Sequence, residues 1–256
     1  MIVCKSAAEI ERMRAANTLV ADVLAELEAM VAPGVSTADL DRAAERLVRA
    51  GGAEPAFKGY RGYPATLCAS VNDEVVHGIP SPARKLADGD IISLDMGVKL
   101  NGFFGDSAVT VAVGRVSEEA AALLRVTRES LEKAIEQAKV GGRVSDIGHA
   151  VQRHVEASGF SVVREFVGHG IGSALHEEPQ IANYGEPGRG PRLAEGMTLA
   201  IEPMVNMGRP AVKVLADGWT AVTKDGSLSA HFEHTVAVTK NGPLVLTRRS
   251  VPVPAR

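Results

Sequence analysis

Apolar residues recur at helical spacing through Ile10, Met13, Val20, Val23, Leu24 and Leu27, and Pro33-Gly34 stops the run. Ser6, with Glu9 three residues later, is a capping-box signature that sets the helix start. A second helical pattern covers about Ser36 to Ala50 and ends at Gly51-Gly52. After an irregular stretch at residues 59–64, short apolar runs at Leu67 to Val71 and at Val75-Val76 predict strands. From Asp90 to Thr110, two β-prone runs flank Asn101-Gly102, a dipeptide suited to a two-residue hairpin turn because both central residues must take positive φ. That turn makes Leu100 face Phe103, which leaves Asp95 and Asp106 one diagonal step apart on one face of the ribbon.

The second half repeats this plan. Helices are expected from Ser117 to about Lys139 and from Ser145 to Ser158, followed by strands at residues 161–167, 198–202, 219–223 and 234–238. A shift of 107 residues lays Leu86 to Asp95 over Leu193 to Glu202, with Leu, Ala and Gly identical and acid over acid at Asp88/Glu195 and Asp95/Glu202. One long repeat implies duplication with pseudo-twofold symmetry, the halves being about 1–114 and 115–256, rather than a solenoid. Symmetry would bring Glu202 to the place related to Asp95, where one site could collect ligands from both halves.

Composition narrows the class. With 256 residues, 45% of them hydrophobic, the chain can bury a large core. A net charge of -3 gives no polyanion-binding surface, so nucleic acid is not an expected partner. No apolar run reaches membrane-spanning length and no signal-peptide core is present, which predicts a cytoplasmic protein with no membrane partner. Cys4 and Cys68 are too few for a disulfide framework and suit a reducing compartment.

Two carboxylates on one face of an apolar hairpin are costly unless a cation lies between them; the alternative is exposed acids at strand ends. His169, Glu202 and Glu233 also sit in stretches of apolar or small residues. Four carboxylates and one imidazole form a hard, oxygen-rich set that favours Mn, Fe, Co or Zn over a thiolate site, and four negative charges offset two divalent ions. The glycines at 168, 170 and 172 resemble a phosphate loop, but no Lys-Ser/Thr follows. Cys68 with His77 is a weaker nucleophile reading, His149 and His154 read as structural, and His234 reads as support for the ligand strand. Glu9, Glu11, Arg12 and Arg14 read as a solvated helix face.

Val76-His77-Gly78-Ile79-Pro80, Asp95 with Asp106, Gly168-His169-Gly170-Ile171-Gly172, His176-Glu177-Glu178-Pro179, Ile201-Glu202-Pro203 and Glu233-His234-Thr235 together resemble type I methionine aminopeptidases of metallopeptidase family M24, in the short bacterial form. The resemblance covers essentially the whole chain. It implies an α+β pita-bread fold, as in creatinase and the aminopeptidases: a curved antiparallel sheet with outer helices, 1–256 forming a single catalytic domain. It also implies removal of the initiator methionine before a small second residue, through a metal-activated bridging water. The implied cofactor is two divalent ions, of Co, Mn, Fe, Zn or Ni. Asp106 and Glu233 would bridge both ions, His169 and Glu202 would complete one, and Asp95 would hold the other. Glu202 would shuttle a proton to the leaving amine, His77 would contact the scissile amide, and His176 would polarise its carbonyl. Tyr60, Tyr63, Cys68 and Trp219 would line the methionine pocket. Phe57 and Leu175 depart from the family pattern there and imply an aromatic moved across the pocket, and His231 stands where glutamine is common. The implied partners are N-termini of nascent chains, at the ribosome, and the implied state is a monomer. The rivals are an Xaa-Pro aminopeptidase or prolidase, and a non-catalytic pita-bread binding module.

Overall fold

A computed structural model describes residues 1–248; the last part of the expected second half, 249–256, lies outside the described residues. The chain forms α1 (Ala7–Met30), α2 (Thr37–Ala50), β1 (Glu54–Pro55), β2 (Cys68–Val71), β3 (Glu74–Val76), β4 (Ile91–Leu100) and β5 (Phe103–Ala112). There follow α3 (Glu118–Ile135), α4 (Val144–Ala157), β6 (Ser161–Val162), β7 (Gly168–Gly170), β8 (Glu177–Ile181), β9 (Thr198–Ile201) and β10 (Met204–Asn206). The remaining strands are β11 (Val212–Val214), β12 (Ala221–Thr223), β13 (Ser229–His231), β14 (Glu233–Thr239) and β15 (Gly242–Val245).

The helix starts follow the capping chemistry. Ser6 and Ser36 each accept from the backbone N–H three residues on, while Glu9 and Asp39 reach back to the cap. Such a cap contributes about 1 kcal/mol and fixes where the helix begins. At the other hairpin of local chemistry, Asn101 (φ 52) and Gly102 (φ 82) take the left-handed backbone that their turn requires, and Leu100 pairs with Phe103. The register then runs the full length of β4 and β5, with Asp95 facing Ala108 and Gly97 facing Asp106.

The main sheet has nine antiparallel strands, in the order β1-β4-β5-β14-β9-β7-β8, with β2 on β4 and β15 on β14. Two apolar clusters divide along the repeat. One joins α1 and α2 to β2, β4 and β5 through Val20, Leu24, Leu40, Leu67, Leu94 and Met96. The other joins α3 and α4 to β9 and β14 through Leu123, Leu131, Ile147, Val151, Leu199 and Val236. The helix α1 lies so close to β5 that a Cβ on Gly105 would press on the backbone of Ala16 and Asn17. Covering the sheet with buried aliphatic side chains is what stabilises it, each contributing about 1.5–3 kcal/mol.

The halves match in detail. Adding 107 to the bridge Ser36–Lys85 gives the bridge Arg143–Arg192. The Gly34 N–H to Leu86 oxygen bond recurs as Gly141 to Leu193, and α2 recurs as α4. Several expectations need correction. Residues 163–167 are not strand; only Ser161–Val162 pairs, with β10. The helix expected to reach Lys139 ends at Ile135, its last residues tightening into turns before Gly141. The strands β1, β7, β8, β10, β11, β13 and β15 are not among those expected.

Candidate metal centre and active-site pocket

The central strands β4, β5, β14, β9 and β7 aim their polar residues into one pocket of about 180 Å³, lined by all five candidate ligands. Each ligand is held by backbone pairing. Asp95 and Asp106 project from facing strands β4 and β5, and Glu233 pairs with Ala108, beside them. The Ser107 hydroxyl donates to the Glu233 carbonyl at 2.6 Å, and the Thr235 hydroxyl donates to the Asp106 carbonyl at 2.8 Å. These bonds lock β5 to β14 at the two residues that face the pocket together. Glu202 follows β9, and its carbonyl accepts from Asn183 Nδ2 at 2.9 Å. His169 lies in β7, where a Cβ on Gly168 or Gly170 would collide with the carbonyl of Ala200 or Glu178. Those glycines therefore serve close strand approach, in agreement with rejection of a phosphate loop.

The electrostatics require a cation. The ligand atoms of Asp106, His169 and Glu233 lie within 4.8 Å of one another. Asp95 Oδ1, Asp106 Oδ1 and Glu233 Oε1 are buried without a hydrogen-bond partner. Burial, and then the neighbouring carboxylates, push Asp95, Glu202 and Glu233 well above the ordinary carboxylate range, and burial also raises Asp106. His169 Nδ1 lies 2.9 Å from the Gly170 carbonyl, which can only accept, so Nδ1 carries the proton. Nε2 is then a bare lone pair, 3.5 Å from Glu202 and 3.9 Å from Asp106. A lone pair facing carboxylates is repulsive without a positive ion between them, and burial holds His169 neutral by depressing its pKa to about 4. Asp95, Asp106, His169, Glu202 and Glu233 thus fit divalent cations as a donor set.

Around this cluster lie the other expected residues. Phe57, Tyr60, Tyr63, Cys68, His77, Leu175, His176 and Trp219 all line the same pocket. His77 sits at a left-handed φ of 61, a strained conformation for a non-glycine residue. Gly78 holds it there, donating to Ser70 Oγ and accepting from Ala69 N–H and Tyr63 OH. Its ring meets Phe166 and Trp219 edge-on, at 5.5 Å and 6.1 Å between centroids. His176 stacks on Tyr60 with Nδ1 2.9 Å from the phenol oxygen, and its ring centroid is 4.2 Å from that of His169. Cys68 faces Asp95 across β2 and β4, and burial followed by that carboxylate raises its thiol pKa. It is a protonated wall residue rather than a nucleophile.

His231 is buried with its Nε2 3.7 Å from Glu202, too far for a hydrogen bond, and neither ring nitrogen has a hydrogen-bond partner. His234 supports its strand as expected, through Nδ1 to Thr247 Oγ1 at 2.8 Å. His149 and His154 lie on α4, bonded to Gly185 and Glu129. Arg61 and Phe166 reach the site unanticipated. Arg61, at φ 50 between Gly59 and Gly62, lines the pocket and lies 5.4 Å from the Tyr60 ring. The glycine pair around Tyr-Arg was a turn signal that could have drawn attention to it.

Known proteins share the sequence and the fold. The profile of metallopeptidase family M24 matches residues 11–240. Methionine aminopeptidase 1 of Bacillus subtilis is 56% identical over 97% of this chain and 100% of its own length. A crystal structure of methionine aminopeptidase from Thermotoga maritima superposes with a TM-score of 0.96 at 49% identity, covering 97% of this chain and 100% of that one. Prolidase from Pyrococcus horikoshii OT3, at 23% identity and a TM-score of 0.79, shares the pita-bread fold over 97% of this chain and 64% of its own. The chain belongs to the methionine aminopeptidases of metallopeptidase family M24.

Proposed function

We propose that this protein removes the N-terminal methionine from peptides and new proteins whose second residue is small. The observation that carries the reading is the buried cluster of four carboxylates and a bare imidazole nitrogen opening onto an apolar-walled pocket. Its relatives' names agree with it.

Asp95, Asp106, His169, Glu202 and Glu233 would hold two divalent ions, of Co, Mn, Fe, Zn or Ni. Such a pair supplies Lewis acidity and a lowered pKa for bound water. The methionine side chain enters between Phe57, Tyr60, Tyr63, Cys68, Leu175 and Trp219, whose packing excludes water. An unbranched thioether fills such irregular apolar space well. His176 has Nδ1 committed to Tyr60, which leaves Nε2 to donate to the scissile carbonyl oxygen as charge develops there. His77 contacts the scissile amide from the opposite wall. Glu202 would take the proton released by the attacking water and pass it to the leaving amine.

The partners are N-termini of nascent chains, met at the ribosome, in the cytoplasm. In support, no helix among the described residues is long and apolar enough to cross a membrane, and both cysteines are free. The state proposed is a monomer. The test is hydrolysis of Met-Ala-Ser and Ala-Pro-Ala with added divalent metal. Release of methionine alone is expected. Cleavage of Ala-Pro-Ala instead would favour the prolidase reading, and cleavage of neither would favour a binding module.

A further inference from the structure

Behind the pocket wall, away from every residue given a role above, the N-terminal arm buries a lysine against the loop that follows β7. The side chain of Lys5 is 4% exposed and that of its ion-pair partner Glu177 is 11% exposed. The Lys5 ammonium also donates to the Val3 carbonyl at 3.0 Å, and the Lys5 backbone N–H donates to the Gly196 carbonyl at 2.7 Å. Two glycines make room for it. A Cβ on Gly172 would collide with Lys5 Cε and Nζ, and one on Gly196 would collide with the Lys5 backbone.

Glu177 joins this lysine to the loop. Its Oε1 accepts from the Ala174 N–H at 3.1 Å and lies 3.4 Å from Ser173 Oγ, while Oε2 takes the ammonium. The loop so closed carries Leu175, 2% exposed in the pocket wall, and His176, stacked on Tyr60. A buried ion pair is weak evidence for stability, because desolvation offsets much of the attraction. Fixing a geometry is the better-supported use of such a pair, and here the geometry fixed is that of two pocket residues.

We propose that Lys5 is a positioning residue: acting from outside the pocket through Glu177, it holds the 172–177 loop so that Leu175 and His176 keep their places against Tyr60 and His169. This rests on the aminopeptidase reading for its kinetic readout only. Lys5→Met keeps most of the apolar stem but leaves Glu177 buried and unpaired. Adding Glu177→Gln removes that stranded charge while keeping an oxygen for the Ala174 N–H.

The experiment uses the full chain at saturating metal and measures kcat and KM on Met-Ala-Ser. Calorimetric metal affinity and ¹⁵N spectra of the histidine rings are recorded alongside. For Lys5→Met we expect kcat to fall roughly 10- to 100-fold, the scale of a misplaced catalytic group, with metal affinity within about twofold of the parent. The His176 ring resonances should shift while those of His149 stay in place. Lys5→Met/Glu177→Gln should regain part of kcat. Parent values of kcat, KM and the His176 resonances in Lys5→Met would overturn the proposal. If Lys5→Met does not fold, a folded double variant with parent kinetics and spectra overturns it equally. If the parent itself fails to cleave Met-Ala-Ser, the aminopeptidase reading falls, and the His176 resonances still decide the role of Lys5.

Discussion

Glu202 stands 107 residues after Asp95, in the matching position of an equivalent strand pair: Asp95 lies inside β4 and Glu202 directly follows the shorter β9. Ile91 faces Ala112 where β4 meets β5, and Thr198 faces Ala237 where β9 meets β14. The duplicated strand pair therefore delivers one acid from each half to the same pocket, and each half delivers a second from the partner strand, Asp106 and Glu233. Neither half alone could assemble four buried carboxylates. The cation requirement follows from the symmetry as much as from any one residue.

Replacing one of these acids should separate stability from function. Asp106→Asn keeps the shape but removes a charge that is buried with three others. We expect metal binding and turnover to be lost together, while the metal-stripped variant melts higher than the metal-stripped parent. Calorimetric titration with metal, turnover on Met-Ala-Ser, and melting curves recorded with chelator provide the check. Near-parent turnover would remove Asp106 from the ligand set.

The features legible in the sequence were those set by local chemistry. Ser6 and Ser36 announced their helices, and Asn101-Gly102 fixed a ten-residue register, because a cap or a turn needs only its neighbours. Strands such as β10 and β13, of three residues each, are too short to show a period and exist only because distant partners pair with them. The β8 strand, Glu-Glu-Pro-Gln-Ile, carries no strand propensity at all and is held by β7. The five candidate ligands were readable because isolated charges in apolar stretches are conspicuous. Contacts that position them, Tyr60 with His176 and Lys5 with Glu177, span 116 and 172 residues and leave no local trace.

Metal removal should make stability depend on pH in a defined window. Burial depresses His77, His169 and His234 to about 4 and His231 to about 3, so above about pH 6.5 these rings are neutral in folded and unfolded chains alike and contribute no slope. Asp95, Asp106, Glu202 and Glu233 have folded pKa values raised above their unfolded ones. Their contribution is present below the unfolded values and is lost as pH rises through the folded ones. The melting temperature of the metal-stripped protein should therefore fall as pH rises beyond the histidine range, and saturating metal should flatten the curve. A metal-stripped protein that becomes more stable over that window would contradict the buried-carboxylate account.

His176→Ala should keep its metal and lose roughly 10²–10³ in kcat, the usual effect of deleting a donor to a developing oxyanion. His77→Ala should lose a comparable factor while its backbone stays strained, because the alanine Cβ meets the same steric penalty at φ 61, so that its melting temperature does not rise. Metal content, kcat on a Met-Ala peptide and melting curves distinguish the two histidines. An unchanged kcat in either variant would take that residue out of the mechanism.

Phe57 and Leu175 close the same pocket from different elements, Phe57 from the segment after β1 and Leu175 from the loop clamped by Glu177. There is little slack around Phe57. A Cβ on Gly97 would come within 2.9 Å of its ring, and it packs in one apolar cluster with Leu175, Tyr60 and Met13. Enlarging the second wall without reducing the first should overfill the space, a change that typically costs about 1–3 kcal/mol. Leu175→Phe alone should therefore raise KM for methionyl peptides by about tenfold or more, since 1.4 kcal/mol corresponds to one factor of ten. Phe57→Cys alone should enlarge the pocket and also weaken binding. The double variant should recover part of the loss, because bulk removed on one side readmits the ring on the other. KM for Met-Ala-Ser across the two single variants and the double measures the coupling. Strictly additive effects would mean that the two side chains do not share the space into which methionine fits.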